Sequence, residues 1–114
     1  MASDTNKIYN MSKYFDEDIK YALDYYSDKS NNKYLPSLVY YKKNKKWYIN
    51  SKFVPNVFIN VYDGTYYFNG NLDNAKSYFQ NNNYVLTVIH SYKYSKWYIN
   101  NPDNPSLFVS CNNL

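Results

Sequence analysis

The chain has no arginine, and only one cysteine, one histidine and two glycines in 114 residues. Each scarcity narrows the chemistry. Without arginine the best bidentate reader of phosphate and guanine is missing, though lysine can still neutralise phosphates. The net charge of +4, carried by lysine alone, therefore points only weakly to nucleic acid. A lone Cys111 forms no internal disulfide and reads as a small residue ending a buried strand. With no His/Cys cluster, a zinc-type site fails on counting. Gly64 and Gly70 are too few for a phosphate-cradling loop. No apolar run approaches the ~20 residues of a membrane span. No cofactor is implied.

What fills the chain instead is tyrosine (17), asparagine (19) and lysine (13). Their codons are AT-rich, which suggests an AT-rich genome. The 22% aromatic content is far above that of a disordered chain. Tyrosine offers large contact area at little rotamer entropy, so a Tyr-rich surface makes a good recognition surface.

Residues 31–60 and 81–110 align without a gap and are identical at 11 of 30 positions. Chance supplies roughly 3 matches in such a window, so duplication is the better account. The identities include Asn31/Asn81, Asn32/Asn82, Tyr34/Tyr84, Lys43/Lys93, the run Lys46–Asn50 against Lys96–Asn100, Pro55/Pro105 and Phe58/Phe108.

Helical periodicity predicts helices over 16–28 (Ile19, Ala22, Leu23, Tyr26) and 71–82 (Leu72, Ala75, Tyr78, Phe79). Asp16, Glu17 and Asp18 suit the first turn of one. Asn71 suits the N-cap of the other, followed by Asp73. Strands are expected at 37–42, 46–50, 57–62, 84–92, 96–100 and 106–111. Asp63-Gly64 reads as a tight hairpin leading to a strand at 65–69. Trp47, Ile49, Trp97 and Ile99 are placed inward. The expected fold is α+β: two tandem α-β-β-β units, about 16–62 and 71–111, within one domain of residues 1–114. They would form a twisted antiparallel sheet or small barrel with two helices packed on it.

Catalytic constellations are thin. His90 aligns with Tyr40, which reads as a structural aromatic slot rather than a base. A Cys111–His90 dyad has no orienting partner in the sequence. No carboxylate pair is singled out for glycosidase chemistry. The reading is therefore a non-enzyme with no catalytic, cofactor or metal residues. The run Lys42, Lys43, Lys45, Lys46 reads as a solvated hairpin tip, and the second copy carries Tyr92, Lys93, Tyr94 there instead. Tips that diverge in chemistry suit different partners. The expected protein-binding residues are Tyr41, Lys43, Lys45, Tyr92 and Tyr94, with Asn101 and Asp103 in the loop 101–104 as a second contact.

The Arg-free composition, the polar start Ala2-Ser3-Asp4-Thr5-Asn6-Lys7 and the two dissimilar tips resemble the small secreted effectors of phytoplasmas. These include adaptors that link plant zinc-finger transcription factors to the proteasomal ubiquitin receptor. The resemblance covers the whole chain by composition and transfers no binding residue. It implies a non-enzymatic adaptor with two protein-binding faces, secreted and then acting inside a host cell. Two alternatives are an inhibitor of bacterial defence encoded by a phage, acting in the cytoplasm of an infected bacterium, and a small single-stranded nucleic-acid binder using Lys and stacked Tyr. No membrane partner is expected.

Overall fold

A computed structural model of the chain describes residues 8–28, 35–51, 53–80 and 85–113, Asn113 by its backbone alone. The polar start at 2–7, the pairs Asn31/Asn81, Asn32/Asn82 and Tyr34/Tyr84, and the expected end of the second helix at 81–82 lie outside these residues. The described chain is α+β. Its elements are β1 (Ile8–Asn10), α1 (Ile19–Ser27), β2 (Ser37–Tyr41), β3 (Lys46–Asn50), β4 (Phe58–Asp63), α2 (Leu72–Gln80), β5 (Thr87–Ser91), β6 (Lys96–Asn100) and β7 (Phe108–Asn113). It forms two compact units. Unit 1 is Met1–Asn60 with Asn112–Leu114, unit 2 is Val61–Cys111, and the boundary falls in the middle of β4.

In unit 1, β1 runs parallel to β2, with Tyr9 opposite Ser37 and Asn10 opposite Leu38. β2 runs antiparallel to β3, from Leu38 opposite Ile49 to Tyr41 opposite Lys46. In unit 2 the end of β4 runs parallel to β5, with Tyr62 opposite Thr87 and Asp63 opposite Val88. β5 and β6 are antiparallel, as are β6 and β7. Strand pairing is thus mixed, where an all-antiparallel sheet was expected. The reason is the helix. Parallel neighbours need a crossover connection, and α1 lies between β1 and β2 as α2 lies between β4 and β5. Each helix is therefore preceded by a strand of its own parallel pair: the three-residue β1, which no periodicity predicts, and β4, which was expected in the first unit alone.

The expected strand at 65–69 is a compact turn over 65–70. Asp63 is not a hairpin tip. Its Oδ1 accepts the Thr65 N–H at 3.0 Å and bends the chain. The Gly64 N–H continues the parallel ladder to the Val88 carbonyl at 2.8 Å. The β-like run Tyr66-Tyr67-Phe68 yields because Phe68 must turn into the core beside Leu72, Ala75 and Phe79. The same turn occurs at 12–17, with Phe15 in the role of Phe68. Asp16 and Glu17, expected in the first helical turn, lie in this turn with left-handed backbone (φ 55° and 58°). Asp18 is the N-cap, its side chain accepting from the Lys20 N–H at 2.9 Å. Asn71 serves α2, with its Oδ1 accepting from the Asn74 N–H at 3.2 Å.

Helix α1 buries Ile19, Ala22 and Tyr26 against Met11, Phe15 and Val39. Helix α2 buries Leu72, Ala75 and Phe79 against Phe68, Ile89 and Phe108. Tyr48 and Tyr98 flank these two clusters. The helix-bearing sheet face is therefore the Val39/Tyr48 face in one unit and the Ile89/Tyr98 face in the other. Trp47 and Ile49, and Trp97 and Ile99, occupy the opposite face. There Trp47 and Ile99 are buried, but Ile49 and Trp97 are only half-buried. The inward placement thus holds for two of the four, on a face other than the one the helices cover.

Asn50 and Asn100 are the best-matched polar pair. Both are buried. The Oδ1 of each accepts a backbone N–H, from Ser37 or Thr87, at 2.7 Å. The Nδ2 of each donates to a carbonyl, Leu35 at 3.1 Å or Val85 at 3.0 Å. Asn100→Ala is expected to lower stability by about 2–4 kcal/mol, the loss of two hydrogen bonds plus a stranded buried N–H. Asn100→Asp keeps the acceptor but loses the donor and buries charge, so it is expected to recover partly in acid, where the protonated carboxyl donates again. Denaturant titrations at neutral and acid pH read both effects.

Candidate functional site

In unit 2, β5 and β6 bring His90 directly opposite Trp97, with ring centroids 5.1 Å apart at 62°. Thr65 fixes the turn to this strand pair, because its Oγ1 accepts the His90 N–H at 2.9 Å. Just past β5, Tyr92 lies 6.1 Å from His90. Its backbone N–H donates to the Gly70 carbonyl at 3.0 Å. Its ring packs over Gly70, where a Cβ would come within 2.3 Å of Cδ2, and Gly70 sits at φ +67°. Only glycine meets both demands. Asp63, Thr65, Tyr66, His90, Tyr92 and Trp97 line an open groove of about 570 Å³, four of the six bearing rings. Tyr92 is also the wall of a second depression, of about 370 Å³, shared with Lys93, Tyr94 and the turn 69–73.

Unit 1 has a different surface at the equivalent place. Asp16, Glu17, Asp18, Lys20, Lys42 and Lys43 surround a depression of about 410 Å³ with Tyr41. It carries charge of both signs. Unit 1 also exposes apolar residues in the loop after β3 and at the start of β4: Phe53 is 88% exposed, Val54 46%, Val57 49% and, in β4, Ile59 48%. The loop is closed by hydrogen bonds from the Ser51 N–H to the Val57 carbonyl at 2.6 Å and from the Val57 N–H to the Val54 carbonyl at 2.9 Å. The matching unit 2 loop has the same backbone bonds, Asn101 to Leu107 and Leu107 to Asn104. It carries Asp103 and Asn104 where unit 1 carries Phe53 and Val54.

The residues expected to bind partners distribute as follows. Tyr41 is half-buried, and its ring lies 6.1 Å from Tyr48 against the α1 cluster. Lys43 and Lys45 are exposed in the turn between β2 and β3, where Lys45 has φ 59°. Tyr41 and Lys43 share the charged depression, which Lys45 does not line. Tyr92 and Tyr94 are exposed side by side, and the Lys93 Nζ lies 5.4 Å from the Tyr94 ring centroid. Asn101 and Asp103 lie at the other end of β6, their turn set by the Asp103 N–H donating to Asn101 Oδ1 at 2.7 Å. A five-residue strand separates the two ends by about 13 Å, so these pairs do not form one patch. Sequence reasoning missed the groove residues Asp63, Tyr66, His90 and Trp97, and the apolar loop. The signal for the loop was present: Phe53 and Val54 fall outside every periodic run.

Thiol chemistry finds no support. Cys111 is buried, and burial pushes its thiol up to about 12 from an ordinary 9.0. It is then a negligible thiolate near neutrality and a poor nucleophile. Burial also raises the Tyr26 hydroxyl, against an opposing hydrogen bond with Ser37 Oγ at 2.5 Å. Both groups are protonated in the folded and the unfolded chain well below the thiol's ordinary 9.0. The unfolded thiol begins to ionise about one unit below that value, whereas the folded one keeps its proton up to about 12, so stability falls across that window. Stability is therefore expected to be insensitive to these two groups below about pH 8 and to decline above it, less steeply in Cys111→Ala. Folded protein should not react with a disulfide reagent near pH 8, whereas protein unfolded in guanidinium should.

Compared with protein-family models, with curated proteins and with solved structures, the chain matches none of them.

Proposed function

We propose that the chain is a small non-enzymatic effector or adaptor that acts by occupying partner proteins, with separate contact surfaces on its two units. The observation that carries this reading is the apolar loop of unit 1. Phe53, Val54 and Val57 of a short, hydrogen-bonded loop, with Ile59 at the start of β4, stand in solvent, led by Phe53 at 88%. Scattered exposed apolar residues need no explanation, but four within a seven-residue stretch support an interaction surface. The second surface is the tip carrying Tyr92 and Tyr94. We read the two units as tandem copies of one module, supported by the matched Asn50/Asn100 bonds and the recurrent turns. On that reading the backbone was kept while Phe53-Val54 diverged from Asp103-Asn104, and Lys42-Lys43-Asn44 from Tyr92-Lys93-Tyr94. In the adaptor form of the proposal the partners are host proteins, one bound by each unit.

The test is capture by the folded protein from plant and bacterial lysates, with two double variants. Phe53→Asp with Val54→Asp is expected to weaken one interaction at least about tenfold, a loss of about 1.4 kcal/mol, and to leave the melting curve unchanged. Tyr92→Ala with Tyr94→Ala should weaken a different one. Loss of every interaction in either variant, or of none in both, overturns the two-surface reading.

A further inference from the structure

The aromatic groove of unit 2 has an equivalent place in unit 1, and the two differ in charge. The backbone fixes the equivalence. The Tyr40 N–H donates to Ser12 Oγ at 2.8 Å as the His90 N–H donates to Thr65 Oγ1 at 2.9 Å. The Ser12 N–H donates to Asn10 Oδ1 at 3.1 Å as the Thr65 N–H donates to Asp63 Oδ1 at 3.0 Å. Tyr40 faces Trp47 as His90 faces Trp97. The Lys42 N–H donates to the Glu17 carbonyl as the Tyr92 N–H donates to the Gly70 carbonyl. By these registers Asn10, Lys13, Glu17 and Lys42 stand where unit 2 has Asp63, Tyr66, Gly70 and Tyr92.

Two ammonium groups have thus been exchanged for two phenol rings, and a neutral amide for a carboxylate. Gly70 in place of Glu17 belongs to the same change, because a side chain there would collide with the Tyr92 ring. The result is a groove lined by Tyr66, Tyr92 and Trp97, the His90 ring, Thr65 and one carboxylate. Electron-rich ring faces attract cations, Trp and Tyr most strongly. A bare ammonium is strongly hydrated and needs several acceptors to replace its water. A methylated one is not, and several rings with a single carboxylate suit it.

We propose that this groove binds an alkylammonium group, with the ring faces of Tyr66, Tyr92 and Trp97 around the cation and Asp63 supplying the countercharge. Its volume of about 570 Å³ exceeds what the headgroup needs and leaves room for its carrier. The carrier is either a free small molecule such as choline or the side chain of a methylated lysine. The proposal concerns a small-ligand site of unit 2 and does not depend on the protein-binding surfaces above.

Full-length protein is titrated with choline and with 3,3-dimethylbutanol, its uncharged isostere, following the indole N–H signals of both tryptophans by NMR. A trimethyl-lysine peptide and its unmodified counterpart form the second pair. Saturable shifts at Trp97 but not at Trp47 are expected, with the charged ligand tighter than the isostere by about tenfold. The tighter of choline and the trimethylated peptide identifies the carrier. Asp63→Asn keeps an acceptor for the Thr65 N–H and should lose most of the preference for charge, with its melting curve checking that the fold is retained. Tyr66→Ala, at a side chain 94% exposed, should weaken the charged ligand by about fivefold without changing the melt. Equal binding of charged and uncharged ligands, equal shifts at Trp47 and Trp97, or no saturation by any of them overturns the proposal.

Discussion

The buried amide of Asn50, and its counterpart Asn100, holds the place where each helix hands the chain to a strand. A chain leaving a helix has backbone groups that neither the helix nor the coming ladder satisfies. At residues 35–37 the Leu35 carbonyl and the Ser37 N–H are taken by the two ends of one asparagine side chain. The Pro36 carbonyl between them accepts the Tyr9 N–H at 2.9 Å, and proline has no N–H to satisfy. The segment is thereby held between β1 on one side and Asn50 on the other. Unit 2 repeats the solution with Val85, Leu86 and Thr87. The parallel pairing of β1 with β2, and of β4 with β5, starts from these residues. The helix position follows from it, because Tyr26 also bonds to Ser37.

The turns at 12–17 and 65–70 complete the arrangement from the other end. Each offers one hydroxyl, Ser12 or Thr65, to the middle of the adjoining strand. Each also sends one phenylalanine into the core. Around that phenylalanine the rings meet edge to face: Tyr14 at 4.8 Å from Phe15, and Tyr67 at 4.8 Å from Phe68. Edge-on contacts set the positive rim of one ring on the negative face of the next. This is how a chain so rich in tyrosine packs its rings while leaving several hydroxyl tips in solvent.

How far the sequence reveals this depends on whether a feature is local. The apolar faces of both helices and the β-branched and aromatic runs of β2, β3, β5 and β6 are local, and periodicity and composition find them. Strand β1 has three residues, too few for any period, and its parallel partner lies beyond a helix. The turn at 65–70 was misread because Tyr66-Tyr67-Phe68 has strand composition. Its true signal is the Asp63 side chain bonding two residues on. Period two tells that Trp47 and Ile49 share a face, but not which face receives the helix. The smaller contact surface of Val39 and Ile89, rimmed by Tyr48 and Tyr98, won that place. The candidate groove stayed hidden because Asp63, His90 and Trp97 each had a sufficient structural explanation alone. They converge only through the register of β4, β5 and β6.

Strand β4 carries the join between the two compact units within its own six residues. There is no linker to absorb a change of length. One residue inserted between Asn60 and Val61 would turn the following side chains over, exchanging buried Val61 with exposed Tyr62, and would carry the Tyr62 N–H away from the Leu86 carbonyl. The loops 51–57 and 101–107 can lengthen or shorten while their strands stay in register. The chain is thus intolerant of a length change within β4, whereas the loops that carry its divergent chemistry are the places where one costs least.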